Sequence, residues 1–369
     1  MTSFAWGGIA ESSRSYRVAE ASFPPAGRRW PEQSAPRRVV PLPTPGDCMT
    51  IDRRALLGSL AATAAAPPVL PGKAAPPAPP AIESIAIWPG PAPASPVALP
   101  QPKLQKAGAP GRNDYHLRGV AAPTMFVYRP EIPNGVGLIV MPGGGYVYLS
   151  MENEGSNVAR FYTKRGYTVF VLSYRLPGEG WTNRADAPIQ DALRAIRIVR
   201  ARASSFKIDP TRVGILGFSA GGHVAASLAT DYATPLYDSV DAADKQPAKP
   251  SFVGLLYAVT TMRPFETHSV SRANLLGPNP DAALVARRSP LLHIGKDTPP
   301  SFVAAALDDG TVPPQCSIDW MTACRTANVP VEAHLFEHGG HGFGMHLPDT
   351  APGSLWPELF LRWASRHGG

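Results

Sequence analysis

The sequence predicts an α/β domain with a mostly parallel central sheet covered by helices on both faces. Three observations carry that expectation. Short apolar runs alternate with longer stretches of helical period. Several of the short runs are apolar at every position, as strands enclosed between two helical layers must be. A sharp glycine-rich turn, Gly217-Phe218-Ser219-Ala220-Gly221, follows one such run and opens one such helix.

The first 81 residues lack this alternation. Residues 1–48 mix Arg, Pro, Ser and Gly without period and read as an extension upstream of the true start, or as a disordered tail. Met49 opens a more organised segment, in which Arg53-Arg54 precedes a small, apolar run ending at Ala66. Residues 49–66 therefore have the layout of an export signal, similar to a twin-arginine signal. Residues 67–81 form a Pro/Ala-rich linker of extended type. Folded structure is expected over 82–369 as a single domain.

Within it, strands are expected at 125–128, 137–141, 168–173, 213–216, 253–257, 302–306 and 331–336. Helices are expected at 157–165, 188–203, 222–230, 314–327 and 355–365. The helix at 188–203 is set by apolar Ile189, Ala192, Leu193, Ile196 and Val199 on one face. The last is set by Trp356, Phe360 and Trp363, spaced four and three apart as a buried stripe requires. The segments 174–186 and 260–276 are expected as loops that shape a pocket.

Composition narrows the function classes. Of 43 prolines, 21 fall in the first 110 residues, so the excess belongs to the N-terminal part. The formal charge of +7 includes +4 from residues 1–80, which leaves the body nearly neutral. Without a clustered Lys/Arg stripe, nucleic acid is not an expected partner. No run of 18 apolar residues follows the leader, so no stable membrane span is expected in the mature protein. Cys316 and Cys324 on one helix would stand about 12 Å apart, beyond disulfide reach, and read as reduced core thiols.

The turn at Ser219 carries the chemistry. A strand-to-helix turn this tight needs small neighbours, which Gly217, Ala220 and Gly221 supply, and it pushes the serine out at a helix N-terminus. A serine hydroxyl is a weak nucleophile, so it needs a base and a carboxylate to orient that base. Leu307-Asp308-Asp309-Gly310-Thr311-Val312-Pro313 places a carboxylate just beyond a strand; Asp309 is preferred to Asp308 by its position relative to Val312-Pro313. Glu337-His338-Gly339-Gly340-His341-Gly342-Phe343 supplies the base, with His341 preferred because glycines on both sides let its ring reach across. His338 and His341 match no zinc spacing, and neither a metal nor an organic cofactor is expected.

An oxyanion needs preorganised donors, and Met141-Pro142-Gly143-Gly144-Gly145-Tyr146 follows a strand upstream of the serine. Gly144 and Gly145 would present backbone N–H groups, with Ala220 as a third. Tyr146, Tyr148 and Trp181 are candidates to stack on a substrate at the site mouth. His223, one helical turn after Ser219, reads as a packing histidine, and Asp191 as a structural acceptor.

Together these residues resemble an α/β-hydrolase of the hormone-sensitive-lipase and feruloyl-esterase-like group. They are most similar to secreted acetylxylan-esterase-like carbohydrate esterases. The similarity runs from about Ile87 to Trp363. It includes Ile87-Trp88-Pro89-Gly90-Pro91-Ala92-Pro93, the glycine turn, Glu154-Gly155, Leu172-Ser173-Tyr174-Arg175-Leu176-Pro177, Gln190-Asp191-Ala192, the serine turn and the two loops downstream. Pro142 stands where the broader lipase group has histidine, which favours the carbohydrate-esterase branch. The resemblance implies an exported serine esterase, periplasmic or extracellular, that removes acetyl groups from plant polysaccharide or its oligosaccharides. A general carboxylesterase or feruloyl esterase is the alternative, with a silent carbohydrate-binding relative more remote.

Overall fold

The computed structural model describes residues 83–108 and 113–369. The expected extension, export signal and linker fall on residues 1–82, outside the described residues. Eleven strands are described: β1 (Glu83–Ala86), β2 (Lys103–Ala107), β3 (Asp114–Arg118), β4 (Thr124–Tyr128), β5 (Gly135–Met141), β6 (Leu149–Ser150), β7 (Thr168–Ser173), β8 (Ile208–Phe218), β9 (Val253–Leu256), β10 (Ser301–Ala306) and β11 (Val331–Phe336). The helices are α1 (Asn157–Thr163), α2 (Ala187–Ala201), α3 (Ala203–Phe206), α4 (Ser219–Asp231), α5 (Ser269–Leu276), α6 (Ala282–Arg287), α7 (Gln315–Thr326) and α8 (Trp356–Ala364).

Eight strands form one sheet in the order β1-β4-β7-β5-β8-β9-β10-β11. Every pair from β7 to β11 is parallel, and β1 and β4 complete the sheet as antiparallel partners at one edge. Alternate residues of one strand feed opposite cores, as the strand repeat of two demands. In β5, Ile139 and Met141 join the layer packed by α2, α4 and α7, whereas Val136, Leu138 and Val140 join that packed by α1 and α8. The stripe Trp356, Phe360 and Trp363 is buried in the second layer as expected.

The chain reverses its direction of travel across the sheet at β5, with β7 on one side and β8 on the other. In open parallel sheets that switch point leaves a crevice outside the strands' C-terminal ends. The turns after β5 and after β8 both open there. A second, antiparallel sheet in the order β2-β3-β6 stands beside the turn after β5 and supplies Asp114 and Ser150 to the cavity wall.

Two expectations are corrected. β2 and β3 were not anticipated, because β2 is largely exposed and the apolar residues they share, Leu104 with Tyr115 and Leu117, are too few to show a strand period. The segment 260–276 is not loop throughout, since it holds α5. The residues just before α1 wind as a π-helical turn, Glu152–Ser156, which buries Asn153 and Glu154. Among the described residues no helix is long and apolar enough to cross a membrane.

Candidate active site

Phe218 ends β8 in extended conformation, and the next residue, Ser219, opens α4 at φ 50. A non-glycine residue in that left-handed region is strained and persists only where its surroundings over-determine it. Here α4 is pressed against β5. A Cβ on Gly221 would lie 2.1 Å from the Met141 carbonyl oxygen and 2.4 Å from that of Pro142, so only glycine allows the approach.

Ser219 Oγ lies 2.8 Å from His341 Nε2, and His341 Nδ1 lies 2.7 Å from Asp309 Oδ2. A carboxylate only accepts, so Nδ1 carries the ring proton and Nε2 is left to accept from the serine hydroxyl. The other Asp309 oxygen accepts from Thr311 N at 2.8 Å and Val312 N at 3.0 Å, which fixes its orientation. Asp308 turns outward and accepts from Gly339 N at 2.9 Å and Gly340 N at 2.8 Å, shaping the histidine loop from outside. His338 is exposed beside it.

Ser219, His341, Gly144 and Gly145 line one cavity of about 450 Å³. Gly144 sits at φ 130, where a Cβ would meet the Tyr148 carbonyl oxygen at 2.1 Å. Ala220 is fully buried behind the serine in the first turn of α4, where backbone N–H groups have no acceptor within the helix. Such an arrangement can deprotonate a serine hydroxyl and offer N–H donors to a developing oxyanion.

Two predicted substrate contacts are overturned. Tyr146 is 1% exposed, and its hydroxyl donates inward to His223 Nδ1 at 2.7 Å. His223 Nε2 in turn donates to the Arg288 carbonyl at 2.8 Å, so this histidine is a packing residue, held neutral by burial that lowers its pKa to about 4. Trp181 is 3% exposed and covers the Arg175 guanidinium, with 4.9 Å to the ring centroid. Its segment, 174–186, does not reach the cavity; apolar and cationic surface beneath it draws the indole into the protein.

Tyr148 does line the cavity, stacked on His116 at 3.7 Å between centroids. His268 and Val270, from the segment 260–276 expected to shape a pocket, line it too, as do Asn153 and Glu154, whose side chains sequence reasoning did not place. His268 is oriented by its Nδ1 hydrogen bond to Ser271 Oγ at 2.9 Å, and burial lowers its pKa. Glu154 accepts from Gly143 N at 2.7 Å and from the Tyr257 hydroxyl at 2.8 Å. A carboxylate just before a helix reads from sequence as first-turn decoration, and nothing in the spacing shows that a π-helical turn aims it inward. Cys316 and Cys324 are free and buried, and burial raises both thiols, that of Cys324 to about 11. Among the described residues no group of three or more His, Cys, Asp or Glu could hold a metal ion.

The model of the BD-FAE family matches residues 127–323. An acetylxylan esterase of Xylanibacter ruminicola is 33% identical over 224 residues, 60% of this chain and 43% of that one. An endo-1,4-beta-xylanase B of Butyrivibrio fibrisolvens is 34% identical over 205 residues, 56% of this chain and 32% of that one. The chain thus spans less than half the length of these curated relatives. Among solved structures, an acetyl ester-xyloside bifunctional hydrolase from Caldicellulosiruptor lactoaceticus is 31% identical with a TM-score of 0.61, covering 74% of this chain and 98% of that one. The strand order, the strained serine between β8 and α4 and the family match agree: the chain belongs to the BD-FAE family and has the α/β-hydrolase fold.

Proposed function

We propose that this protein is a serine carboxylic-ester hydrolase that removes short acyl groups, chiefly acetyl, from plant polysaccharide or its oligosaccharides. The observation that carries the reading is the hydrogen-bonded line Ser219, His341, Asp309, opening on a cavity walled by Gly144 and Gly145. Ser219 Oγ attacks the ester carbonyl while His341 Nε2 takes its proton. Asp309 keeps the ring in the required tautomer and stabilises the imidazolium. The carbonyl oxygen, now negative, is held by the N–H groups of Gly144, Gly145 and Ala220, and collapse releases the sugar hydroxyl with the proton from His341. Water, activated by the same imidazole, then frees the carboxylic acid. No step needs a metal or organic cofactor. Only a neutral imidazole can take the serine proton, so acid is expected to lower activity.

The polysaccharide assignment draws on the acetylxylan esterase and the acetyl ester-xyloside hydrolase among the similar proteins. Export to the periplasm or beyond draws on Arg53-Arg54 and the apolar run after it. Acetate release from acetylated xylan tests the reading, with Ser219→Ala alongside and p-nitrophenyl acetate and butyrate as controls. Loss of the serine is expected to lower kcat on the order of 10⁶-fold. Turnover of the small esters alone would move the assignment to a general carboxylesterase or feruloyl esterase, and no turnover of any ester would overturn it.

A further inference from the structure

We propose that Glu154 is a positioning residue that couples the oxyanion turn to the histidine loop and places a negative charge on the imidazole side of the site. The inference rests on the esterase reading above. Glu154 is 4% exposed, yet nothing in the hydrolytic steps uses it. Its Oε2 accepts from Gly143 N at 2.7 Å, immediately before the two glycines that wall the cavity. Its Oε1 accepts from the Tyr257 hydroxyl at 2.8 Å. That hydroxyl oxygen accepts from Gly344 N at 2.9 Å, three residues after His341. The Tyr257 ring also packs edge-on to the His341 imidazole, with centroids 5.0 Å apart.

One carboxylate therefore spans the two segments whose separation sets the distance from proton acceptor to oxyanion donors. Neighbouring contacts support each end. Tyr174 donates its hydroxyl to the Pro142 carbonyl at 2.6 Å, and Asn153 donates to the Gly342 carbonyl at 3.0 Å and accepts from Met345 N at 2.9 Å. The titratable groups facing Glu154 are Asp114 from β3, Tyr148 from the oxyanion turn, Tyr174 after β7, Tyr257 after β9, and His341. Burial raises the Glu154 carboxyl above its ordinary range, while the two donors and the nearby imidazole pull it back.

Glu154→Gln and Tyr257→Phe separate charge from geometry. In Glu154→Gln the amide oxygen can accept from Gly143 and the amide nitrogen can donate to Tyr257, so the link survives without its charge. In Tyr257→Phe the carboxyl group and its Gly143 donor remain while the link to Gly344 is cut. The wild type and both variants are compared by kcat and KM for p-nitrophenyl acetate, and by the pH dependence of Ser219 phosphonylation by a fluorophosphonate. For Glu154→Gln the acid limb is expected to move to lower pH, because removing a negative charge favours the neutral imidazole. For Tyr257→Phe the acid limb is expected to stay while kcat falls, by up to about 10²-fold for an ångström of misplacement, with KM nearly unchanged. An unmoved limb in Glu154→Gln, or wild-type kcat in Tyr257→Phe, overturns the proposal. A wild type that fails to label at Ser219 overturns the esterase reading itself, which distinguishes the two failures. If Glu154→Gln does not fold, the Tyr257→Phe result decides.

Discussion

Asp308 and Asp309 are sequence neighbours with the same chemistry and different work. Asp309 faces the His341 ring, whereas Asp308 gathers two backbone N–H groups of the histidine loop. Asp309→Asn is expected to stabilise the wrong tautomer and lower kcat about 10⁴-fold. Asp308→Asn keeps an acceptor for the loop, and its kcat on p-nitrophenyl acetate should stay close to wild type. His223 offers a second contrast, because it is buried where no reaction uses it. Its pKa of about 4 lies below the ordinary 6.5. Between those values the unfolded chain binds a proton that the folded chain refuses, so stability present above pH 6.5 is lost as pH falls toward 4. The loss amounts to about 3 kcal/mol over that window. His223→Gln should flatten the urea midpoint between those pH values; a midpoint that still falls as steeply would place the acid sensitivity elsewhere.

At the scale of elements, the serine turn depends on how closely α4 approaches β5. Gly221→Ala would drive a methyl group into two backbone carbonyls that cannot move aside. Overpacking of that kind costs 1–3 kcal/mol or more. Urea unfolding should show at least that loss, together with reduced kcat from a displaced Ser219. This turn was legible in the sequence because its glycines, the apolar run before it and the helix after it are contiguous. The same holds for β7 and β11, whose bounds were read without error. β2 and β3 were not legible, since their apolar side chains, Leu104, Tyr115 and Leu117, are few and lie between charged and polar residues, and their pairing with each other is what fixes them as strands. Tyr146 and Trp181 were misplaced for a related reason: an aromatic ring near a site can turn either way, and only its partner decides which, His223 across 77 residues for Tyr146 and the buried Arg175, six residues upstream, for Trp181.

Across the whole molecule, a buried ion pair ties the segment around Trp88 and Pro93 to the sheet and α2. Arg175 and Asp191 side chains are both fully buried, 2.9 Å apart. Asp191 also accepts from Trp88 Nε1 at 2.8 Å, and Arg175 donates to the Pro93 carbonyl at 2.6 Å. Asp191→Ala strands a buried guanidinium and is expected to cost 3–5 kcal/mol in unfolding free energy; a change below about 1 kcal/mol would mean that water reaches the site. The order of strands could not be read from spacing, because the reversal at β5 is a property of pairing between distant segments. The same non-local pairing bears on when the protein becomes active. Ser219 and His341 are 122 residues apart, and Asn153 meets Gly342 across 189. Closing such loops spends chain entropy before any contact rewards it. Under the proposed mechanism, a growing chain that has not yet delivered β11 and the loop after it holds Ser219 without its base and is expected to leave esters intact. If the proposed mechanism holds, ester turnover is expected only once the last third of the chain has docked, so its appearance would serve as a clock for the completion of folding.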